Sequence, residues 1–286
     1  MPLQTLIGPA ARPIDVIEAR NHVRQDLTAD DSVLEMAIRA TTSFAQTECL
    51  RTLVATRYRL VLDSFPGPSL MGVPWGRSYS LPGHAICLEY GPVLAVKWVK
   101  YLDMAGVQQT MPATDYTVDF SGPVARITPI FGKIWPIPLP QIGAVEVVYD
   151  AGDAAAITGD ATANTITVKG GLWKTLAVGD TVRLSNSGGA LPAPLLFDTD
   201  YFVQSVLAAG VYTLAATSGG AVIDLTDTGS GTSFIGAVPE GIKAWQKMRL
   251  ASLYDLRSDV TALARGRLES VPFVDRLLDP WRLVLA

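Results

Sequence analysis

The stretch DDSVLEMAIRATTSFAQTECL, residues 30–50, decides the fold of this chain. Its leading aspartates and serine are residues that cap helix N-termini, and the apolar residues that follow recur at helical spacing. Before it, residues 13–25 predict a shorter amphipathic helix starting at Pro13, because a proline lacks the N–H that has no partner in a first helical turn. Helical spacing returns at residues 238–268, which open on a second proline, Pro239. The two helical segments must meet in space if they share one core.

Residues 52–150 and 153–237 contain runs typical of strands, separated by turns rich in Gly and Pro. The first range holds about six short runs of β-branched and aromatic residues, which predict a compact antiparallel sheet or a small barrel. In the second range charge thins out while Gly, Ser, Thr and Ala accumulate, so the change in composition near Gly152 marks a candidate boundary. The strand runs predicted in the second range are 165–168, 181–184, 200–206 and 211–214.

These elements predict an α+β protein in which a small helical bundle, residues 13–50 and 238–268, carries two insertions. The first insertion is an antiparallel β-domain at 52–150, and the second is an acidic β-module at 153–237. Residues 269–286 remain as a C-terminal segment.

Hydrophobic residues make up 49% of the 286-residue chain, and charged residues only 17%. Such a chain is too apolar to be disordered, and we expect part of its apolar surface to face other subunits. The net charge of −4 arises in residues 151–237, where seven aspartates face three basic residues. The chain has no apolar run as long as a membrane span, and its first dozen residues lack the basic leader of a signal peptide. We therefore expect synthesis in the cytoplasm and no membrane partner.

Residue types that carry catalysis are scarce. His22 falls on a predicted helix and His84 in a loop rich in Pro and Gly, and neither has neighbours at the spacing of a metal site or a catalytic pair. Cys49 and Cys87 are interpreted as buried free thiols. We therefore predict no enzymatic activity, no cofactor and no metal. Two aspartate pairs can be considered as calcium ligands: Asp198 with Asp200, and Asp224 with Asp227. Neither pair fits the spacing of a calcium-binding loop, so we interpret all four as turn residues.

The arginines do not form the basic stripe expected of a protein that reads nucleic acid. Acidic residues dilute them along the chain, so we predict no tight DNA binding. The arginines considered are Arg51, Arg57, Arg59, Arg249, Arg257, Arg265 and Arg267.

The order of these segments resembles a known family. A helical pair with an acidic turn is followed by YRLVLDSFP (58–66), LEYGPVLAVKWVKYLD (88–103), DYTVDFSGPVARITP (115–129), GAVEVVYDAG (143–152) and VPEGIKAWQKMRLASLYDLR (238–257). This arrangement resembles the head-tail adaptor (connector) proteins of tailed bacteriophages, in the subgroup with a β-domain inserted in a helical bundle. The resemblance covers residues 12–152 and 238–286.

The resemblance implies a structural virion protein of the neck. It implies a homo-oligomeric ring of twelve subunits bound beneath the portal protein, with a stopper or tail protein on its other side. It also implies a central channel through which DNA passes without specific binding. The chain departs from the simpler family pattern because VVYDAG would ordinarily lead by a short linker to VPEGIK. The intervening residues 153–237 look like a β-module found in phage structural proteins, and whether they face outward or toward the tail stays open.

The C-terminal stretch VPFVDRLLDPWRLVLA, residues 271–286, is apolar to its end. Chain ends are usually polar and frayed, so this one needs a partner. It either folds back on the protein's own helical core or inserts between portal subunits, and the resemblance favours the portal. The predicted portal interface comprises the apolar anchors Phe273, Leu277, Trp281 and Leu285, with Arg276 and Arg282 pairing with carboxylates.

An alternative function rests on the second insertion. The chain would then be a carbohydrate- or host-surface-binding β protein acting through residues 153–237. Exposed aromatic side chains would stack on sugar rings, and the candidates are Trp173, Tyr201 and Phe202.

Overall fold

The computed structural model describes residues 3–9, 11–25, 27–67, 84–122, 124–169, 175–197, 199–236, 238–255 and 272–283. As predicted, these residues form a mixed α+β fold with several antiparallel sheets. The helices are α1 (Val16–Val23), α2 (Asp31–Cys49), α3 (Glu240–Asp255) and α4 (Pro272–Arg276), with 3-10 turns at Thr28–Asp30, Ala113–Asp115 and Asp279–Trp281.

The first β region consists of two antiparallel sheets that share a core. Their strands are β1 (Leu3–Ile7), β2 (Thr56–Leu62), β3 (Ile86–Leu88), β4 (Val93–Leu102), β5 (Gln108–Thr110), β6 (Tyr116–Asp119), β7 (Ala125–Pro129) and β8 (Val145–Ala151). Within the described residues, a five-stranded sheet has the order β1-β2-β8-β4-β5 and a three-stranded sheet the order β3-β7-β6. Alternate residues of β8, such as Val147 and Tyr149, join the three-stranded sheet's Ile127 in the core. The other face of β8 carries Glu146 and Asp150.

The second β region is a closed barrel. Its strands are β9 (Ala154–Asp160), β10 (Thr165–Val168), β11 (Thr181–Ser187), β12 (Asp200–Ala208), β13 (Val211–Ala215) and β14 (Thr232–Gly236). Around the described barrel they follow the order β10-β13-β12-β11-β14-β9, with antiparallel neighbours. Closure gives every strand two partners and leaves no open sheet edge. The barrel has its own core, which includes Ile166, Leu184, Val203 and Ile235.

Two barrel strands and one sheet strand were missed by sequence analysis. β9 (AAAITGD) is rich in Ala and Gly, which have weak strand propensity, and β14 (TSFIG) has only five residues. Both form because each lies between neighbours in the barrel. β1 at the N-terminus forms because it pairs with β2, from Leu3 opposite Leu60 onward.

The first and last helical segments meet, as the sequence requires. Ile14, Leu34 and Ile38 form one buried cluster with Leu250 of α3. At the other end of α2, Trp245 of α3 is buried in a second cluster that contains Ala45 and Cys49 of α2. α2 and α3 therefore run antiparallel.

Helix α1 is shorter than predicted. The predicted helix 13–25 begins at Val16 instead, because the side chain of Asp15 accepts the N–H of Val16 and caps the helix. It ends at Val23, since Arg24 adopts a left-handed conformation with φ of 57°.

Some apolar residues that follow the helical spacing are exposed. Met36 of α2 and Met248 and Leu253 of α3 are exposed. Phe44 of α2 is 54% exposed, although one face of its ring stacks on Trp245 of α3, with centroids 5.6 Å apart. The predicted continuation of the last helix after Asp255 lies outside the described residues. In the described part of the chain, no helix has the length and apolarity needed to cross a membrane.

Candidate assembly surfaces

The C-terminal segment packs on the ends of α2 and α3. Leu278 is buried in the cluster that contains Cys49 and Trp245, and Val274, Leu277 and Trp281 pack against that cluster. The backbone N–H of Leu283 donates to the carbonyl of Cys49 at 3.0 Å. These contacts hold residues 274–283 against the protein's own helices.

The residues of the predicted portal interface lie partly on this segment. Arg276 is exposed on α4, and Leu277, Trp281 and Arg282 are half-buried beside the end of α2. The guanidinium of Arg282 bonds the carboxylates of Glu48 at 3.0 Å and Asp279 at 2.9 Å. The backbone of Phe273 belongs to α4, and Leu285 lies outside the described residues.

A groove of about 340 Å³ lies beside this segment. The guanidinium carbon of Arg51 lies 5.8 Å from the ring centroid of Trp281, a cation–π distance. The opposite wall comes from the Gly91–Val93 turn and from Phe120. The groove therefore joins the helical core to the two-sheet region.

A second surface is the loop between β7 and β8. It carries large apolar side chains that are almost fully accessible: Phe131, Ile134, Ile137 and Ile142. Beneath them, Trp135 stacks on Phe65 with ring centroids 4.7 Å apart, and its indole N–H donates to the carbonyl of His84. Sequence analysis assigned this loop no role, although the string IFGKIWPIPLPQIG combines isoleucines with prolines in a way that predicts an exposed apolar loop.

A third feature ties the barrel to the five-stranded sheet. Asp150 of β8 is buried, and it accepts bonds from Arg57 at 2.8 and 3.2 Å and from Ser187 of the barrel at 3.3 Å. The ammonium group of Lys97 lies 3.1 Å from the same carboxylate and donates to Thr232 of the barrel at 2.7 Å. The joint between sheet and barrel is thus a buried polar network.

A further ion pair lies where the chain leaves β8 for the barrel. Arg51 donates from Nε to both carboxylate oxygens of Asp153 at 3.0 Å. Burial raises the pKa of Asp153, and the adjacent guanidinium opposes that effect. The pair links the end of α2 to the start of the barrel.

Of the arginines considered for DNA binding, those that the structure describes are each paired with an acid. Arg51 pairs with Asp153, Arg57 with Asp150, and Arg59 with Glu146 at 2.6 Å. Arg249 pairs with Asp275, whose pKa is lowered by that hydrogen bond. Arg257, Arg265 and Arg267 lie outside the described residues.

No group of three or more His, Cys, Asp or Glu side chains suited to a metal ion occurs among the described residues. Asp227 accepts the backbone N–H groups of Ala193 and Gly229, which is turn chemistry. Asp200 pairs with Arg183, and Asp198 lies outside the described residues.

Of the aromatic residues proposed for sugar binding, the two that the structure describes do not form an exposed platform. Tyr201 is buried in the barrel core, where its hydroxyl accepts the N–H of Leu196. The interpretation of Tyr201 as an exposed stacking residue is therefore wrong, because its ring points into the barrel. Phe202 is half-buried, and Trp173 lies outside the described residues.

Comparison with known proteins gives matches only at the level of structure. No protein-family model matches the chain, and no curated protein matches it. Among solved structures, it is similar to a chain in "Virion of native gene transfer agent (GTA) particle", with 19% identity and a TM-score of 0.54. Similar chains occur in "Neck of empty GTA particle computed with C6 symmetry" (20% identity, TM-score 0.54) and "Neck of native GTA particle computed with C12 symmetry" (19%, 0.51).

In each case the likeness covers 99% of this chain and 96% of the other. At such low identity it is a likeness of fold. Because the coverage is nearly complete on both sides, it includes the barrel as well as the helices and the two sheets. The barrel is therefore not an addition peculiar to this chain.

Proposed function

We propose that this chain is a head-tail adaptor: one subunit of a ring in the virion neck that connects the portal to the tail and continues the DNA channel. The observation that carries the proposal is the likeness in fold, over 99% of the chain, to chains in the virion and neck of GTA particles. The order of the sequence motifs, which resembles that of head-tail adaptors, pointed to a neck protein independently of that likeness.

The ring is proposed to contain twelve copies. The neck structures that the chain resembles are described with C6 and C12 symmetry, and twelve subunits satisfy both. A closed ring is built from one heterologous contact repeated around an axis, so each subunit needs two different faces that fit each other. A tail-side stopper or tail protein would occupy the end of the ring opposite the portal.

The charge pattern suits a conduit for DNA. Tight DNA binding requires free cations along a surface, because affinity comes largely from neutralised phosphates. In this chain Arg51, Arg57 and Arg59 are each held by a carboxylate. With a net charge of −4 per subunit, a ring would attract the phosphate backbone only weakly.

Portal docking is proposed for the C-terminal segment 269–286. Residues 274–283 are anchored on the subunit's own helices, and from that anchor Arg276 points outward on α4. Trp281 and Arg282 line the groove, and Leu277 packs against the helical cluster beside it. Phe273 and Leu285 complete the proposed set. Sequence analysis left two alternatives for this segment, folding back on the helical core or binding the portal. In the proposed arrangement both hold, because a segment that packs on its own core still presents an outer face to the portal.

The test uses the full-length protein and its portal, followed by co-sedimentation and negative-stain imaging. We expect one ring beneath each portal with the wild-type protein, and at least tenfold weaker portal binding with Arg276→Glu, because charge reversal at an interface opposes the partner's charge. Lys169→Glu is the matched control, since Lys169 is exposed on the barrel, and it should bind like the wild type. A wild-type protein that neither forms rings nor binds the portal would show the adaptor function to be wrong. Normal binding by Arg276→Glu would exclude only the docking role of Arg276.

A further inference from the structure

The loop that joins β7 to β8 contains alternating prolines, Pro136, Pro138 and Pro140. A proline fixes its own φ at about −65°, and it keeps the residue before it out of the helical region. Residues 135–140 are therefore all restricted to extended or polyproline II conformations. In agreement with this restriction, residues 133–139 belong to no helix, strand or turn. We call residues 134–140 the proline segment.

Exposure along the proline segment repeats every three residues. Ile134 is 85% exposed, Ile137 is 78% exposed, and Pro140 is exposed as well. Between them, Trp135 is buried and Pro138 is half-buried. A polyproline II helix has about three residues per turn and rises about 3.1 Å per residue, so residues three apart lie along one edge. The outward edge therefore presents Ile134, Ile137 and Pro140 in a row, with roughly 9 Å between neighbours.

The proline segment is held in place by the subunit. Trp135 stacks on Phe65, and its indole N–H donates to the carbonyl of His84. The backbone N–H of Leu139 donates to the carbonyl of Leu102. A polyproline edge that is ordered in advance loses little conformational entropy on binding. Proteins that bind such edges do so with grooves lined by aromatic side chains.

The groove beside the C-terminal segment has such a lining. Trp281 lies on one wall and Phe120, which is 51% exposed, on the opposite wall, with Pro92 between the helical core and the sheet. Its volume of about 340 Å³ falls within the range of pockets that hold ligands. The two cations of the lining, Arg51 and Arg282, are each paired with a carboxylate. We call it the aromatic groove, and its neutralised lining suits an uncharged edge.

The proline segment and the aromatic groove lie at opposite ends of β4. Leu139 is bonded to Leu102 at the end of the strand, whereas Val93 at its start lines the groove. A strand of this length spans about 30 Å. The segment therefore cannot fill the groove of its own subunit, but a second copy can supply it. A ligand and its groove at opposite ends of one chain are what a head-to-tail contact requires.

We infer that the proline segment of one copy binds in the aromatic groove of the next copy. This inference rests on the proposed ring, in which the pairing is the heterologous contact repeated around the axis. Ile134 and Ile137 enter the groove between the rings of Trp281 and Phe120. The C-terminal segment is then held on its groove side by the neighbouring copy, while Arg276 on α4 still faces outward to the portal. A standard interface buries about 800 Å² on each partner, so this contact forms the apolar centre of a larger one.

Crosslinking of the assembled full-length protein tests the pairing. Gln141→Cys, beside the proline segment, is combined with Ser121→Cys, beside Phe120, in a Cys87→Ser background and treated with a bismaleimide. Lys133→Cys with Ser121→Cys covers the reverse orientation of the segment. Cys49 stays inert, because its side chain is buried and burial raises the pKa of its thiol to about 11.

We expect one of the two pairs to give a ladder of covalent oligomers that extends toward the full ring, and no ladder from any single variant. A ladder from neither pair would overturn the inference. So would a dimer from Gln141→Cys or Lys133→Cys alone, because two loops would then meet each other.

Assembly itself provides the second measurement. Ile137→Asp should weaken ring formation at least about tenfold, because its carboxylate would be buried without a partner. Ile142→Asp is the matched control, since Ile142 is 90% exposed on the same loop but does not belong to the three-residue repeat, and it should assemble like the wild type. Both side chains are exposed, so the folded subunit should keep its circular dichroism spectrum and melting temperature. An equal loss from Ile142→Asp would mean that no polyproline edge is recognised, and would overturn the inference.

A pair of alanine variants tests the groove side. Ile137→Ala and Phe120→Ala should each weaken assembly, and the double variant should weaken it by less than the product of the two separate factors, because residues in contact are coupled. Fully multiplicative losses would show that the two side chains do not meet.

The outcomes separate this inference from the adaptor function. Rings formed by Ile137→Asp at normal stoichiometry would overturn the contact and leave the adaptor function standing. Intact rings that lose only a tail-side or portal partner would assign the proline segment to that partner and overturn the contact as well. A wild-type chain that forms no ring would contradict both proposals.

Discussion

Replacing Asp150 with asparagine removes the negative charge shared by Arg57 and Lys97 at the joint between sheet and barrel. The carboxylate is 1% exposed, and it lies 2.8 Å from Nε of Arg57 and 3.1 Å from Nζ of Lys97. The asparagine side chain keeps the shape, but it leaves two cations facing a neutral amide. Both cations are largely buried, at 11% and 19% side-chain exposure.

The expected loss follows from the cost of an unpaired buried charge. Removing one partner of a buried ion pair costs about 3–5 kcal/mol. Because the two cations keep some contact with water, and Lys97 keeps its bond to Thr232, we expect the lower end, about 3 kcal/mol. For a chain of this size that corresponds to a melting temperature lower by roughly 6–12 °C.

Denaturant unfolding and calorimetry measure this loss. Asp279→Asn is the control, because Asp279 and Arg282 are both well exposed and such pairs contribute less than about 1 kcal/mol. The double variant Asp150→Asn with Lys97→Met should recover part of the loss, since it removes one of the unpaired cations. If Asp150→Asn unfolds within about 1 kcal/mol of the wild type, or if the double variant is less stable than the single one, the network is not what holds the joint.

Two further predictions concern the junction and the thiols. Gly152→Ala should destabilise the protein by at least about 2 kcal/mol in thermal unfolding. Gly152 has a φ of +150°, and a Cβ added there would lie 2.7 Å from the backbone nitrogen of Ala55. The control is Gly132→Ala, at a φ of +83° in open space, which should cost about 1 kcal/mol. Ellman's reagent at pH 8 should titrate Cys87 in the native protein and Cys49 only after unfolding. Because burial raises the pKa of Cys49 to about 11, the folded state retains that proton, so the stability it contributes should fall as pH rises from about 8.5 toward 11. Rapid native-state labelling of Cys49, or a wild-type-like Gly152→Ala, would contradict these expectations.

Much of the fold could be predicted because its signals are local. Apolar spacing in residues 31–49 and 240–255 specifies helices, and period-two runs such as 56–62 specify strands. The change in composition at Gly152 falls between β8 and β9. The contact between the two helical segments could be predicted for one reason. The apolar face of each amphipathic helix has to be buried against another apolar surface.

What could not be predicted depends on tertiary partners. Spacing shows that Leu34 and Met36 are both apolar positions of a helix, but it does not show that the subunit buries Leu34 and leaves Met36 65% exposed. The alanine-rich strand β9 has weak local preference and forms because β10 and β14 lie on either side of it. Likewise Tyr201 is an aromatic residue of the type that stacks on sugar rings. Its ring lies in the core because it is on the face of β12 that points into the barrel.

The position of the barrel explains how one chain accommodates it without disturbing the helices. β9 and β14 are antiparallel neighbours, with Ala154 opposite Gly236, so the chain enters and leaves the barrel at adjacent points. Two residues further on, Val238 is already buried in the helical cluster. Holding the two ends of a long insertion together costs conformational entropy, and this cost grows only slowly with the length of the insertion. The hydrogen bonds between the end strands β9 and β14 offset that cost. The network around Asp150 then sets the barrel's orientation on the sheet, which the proposed ring requires if all its copies are to present the same surfaces.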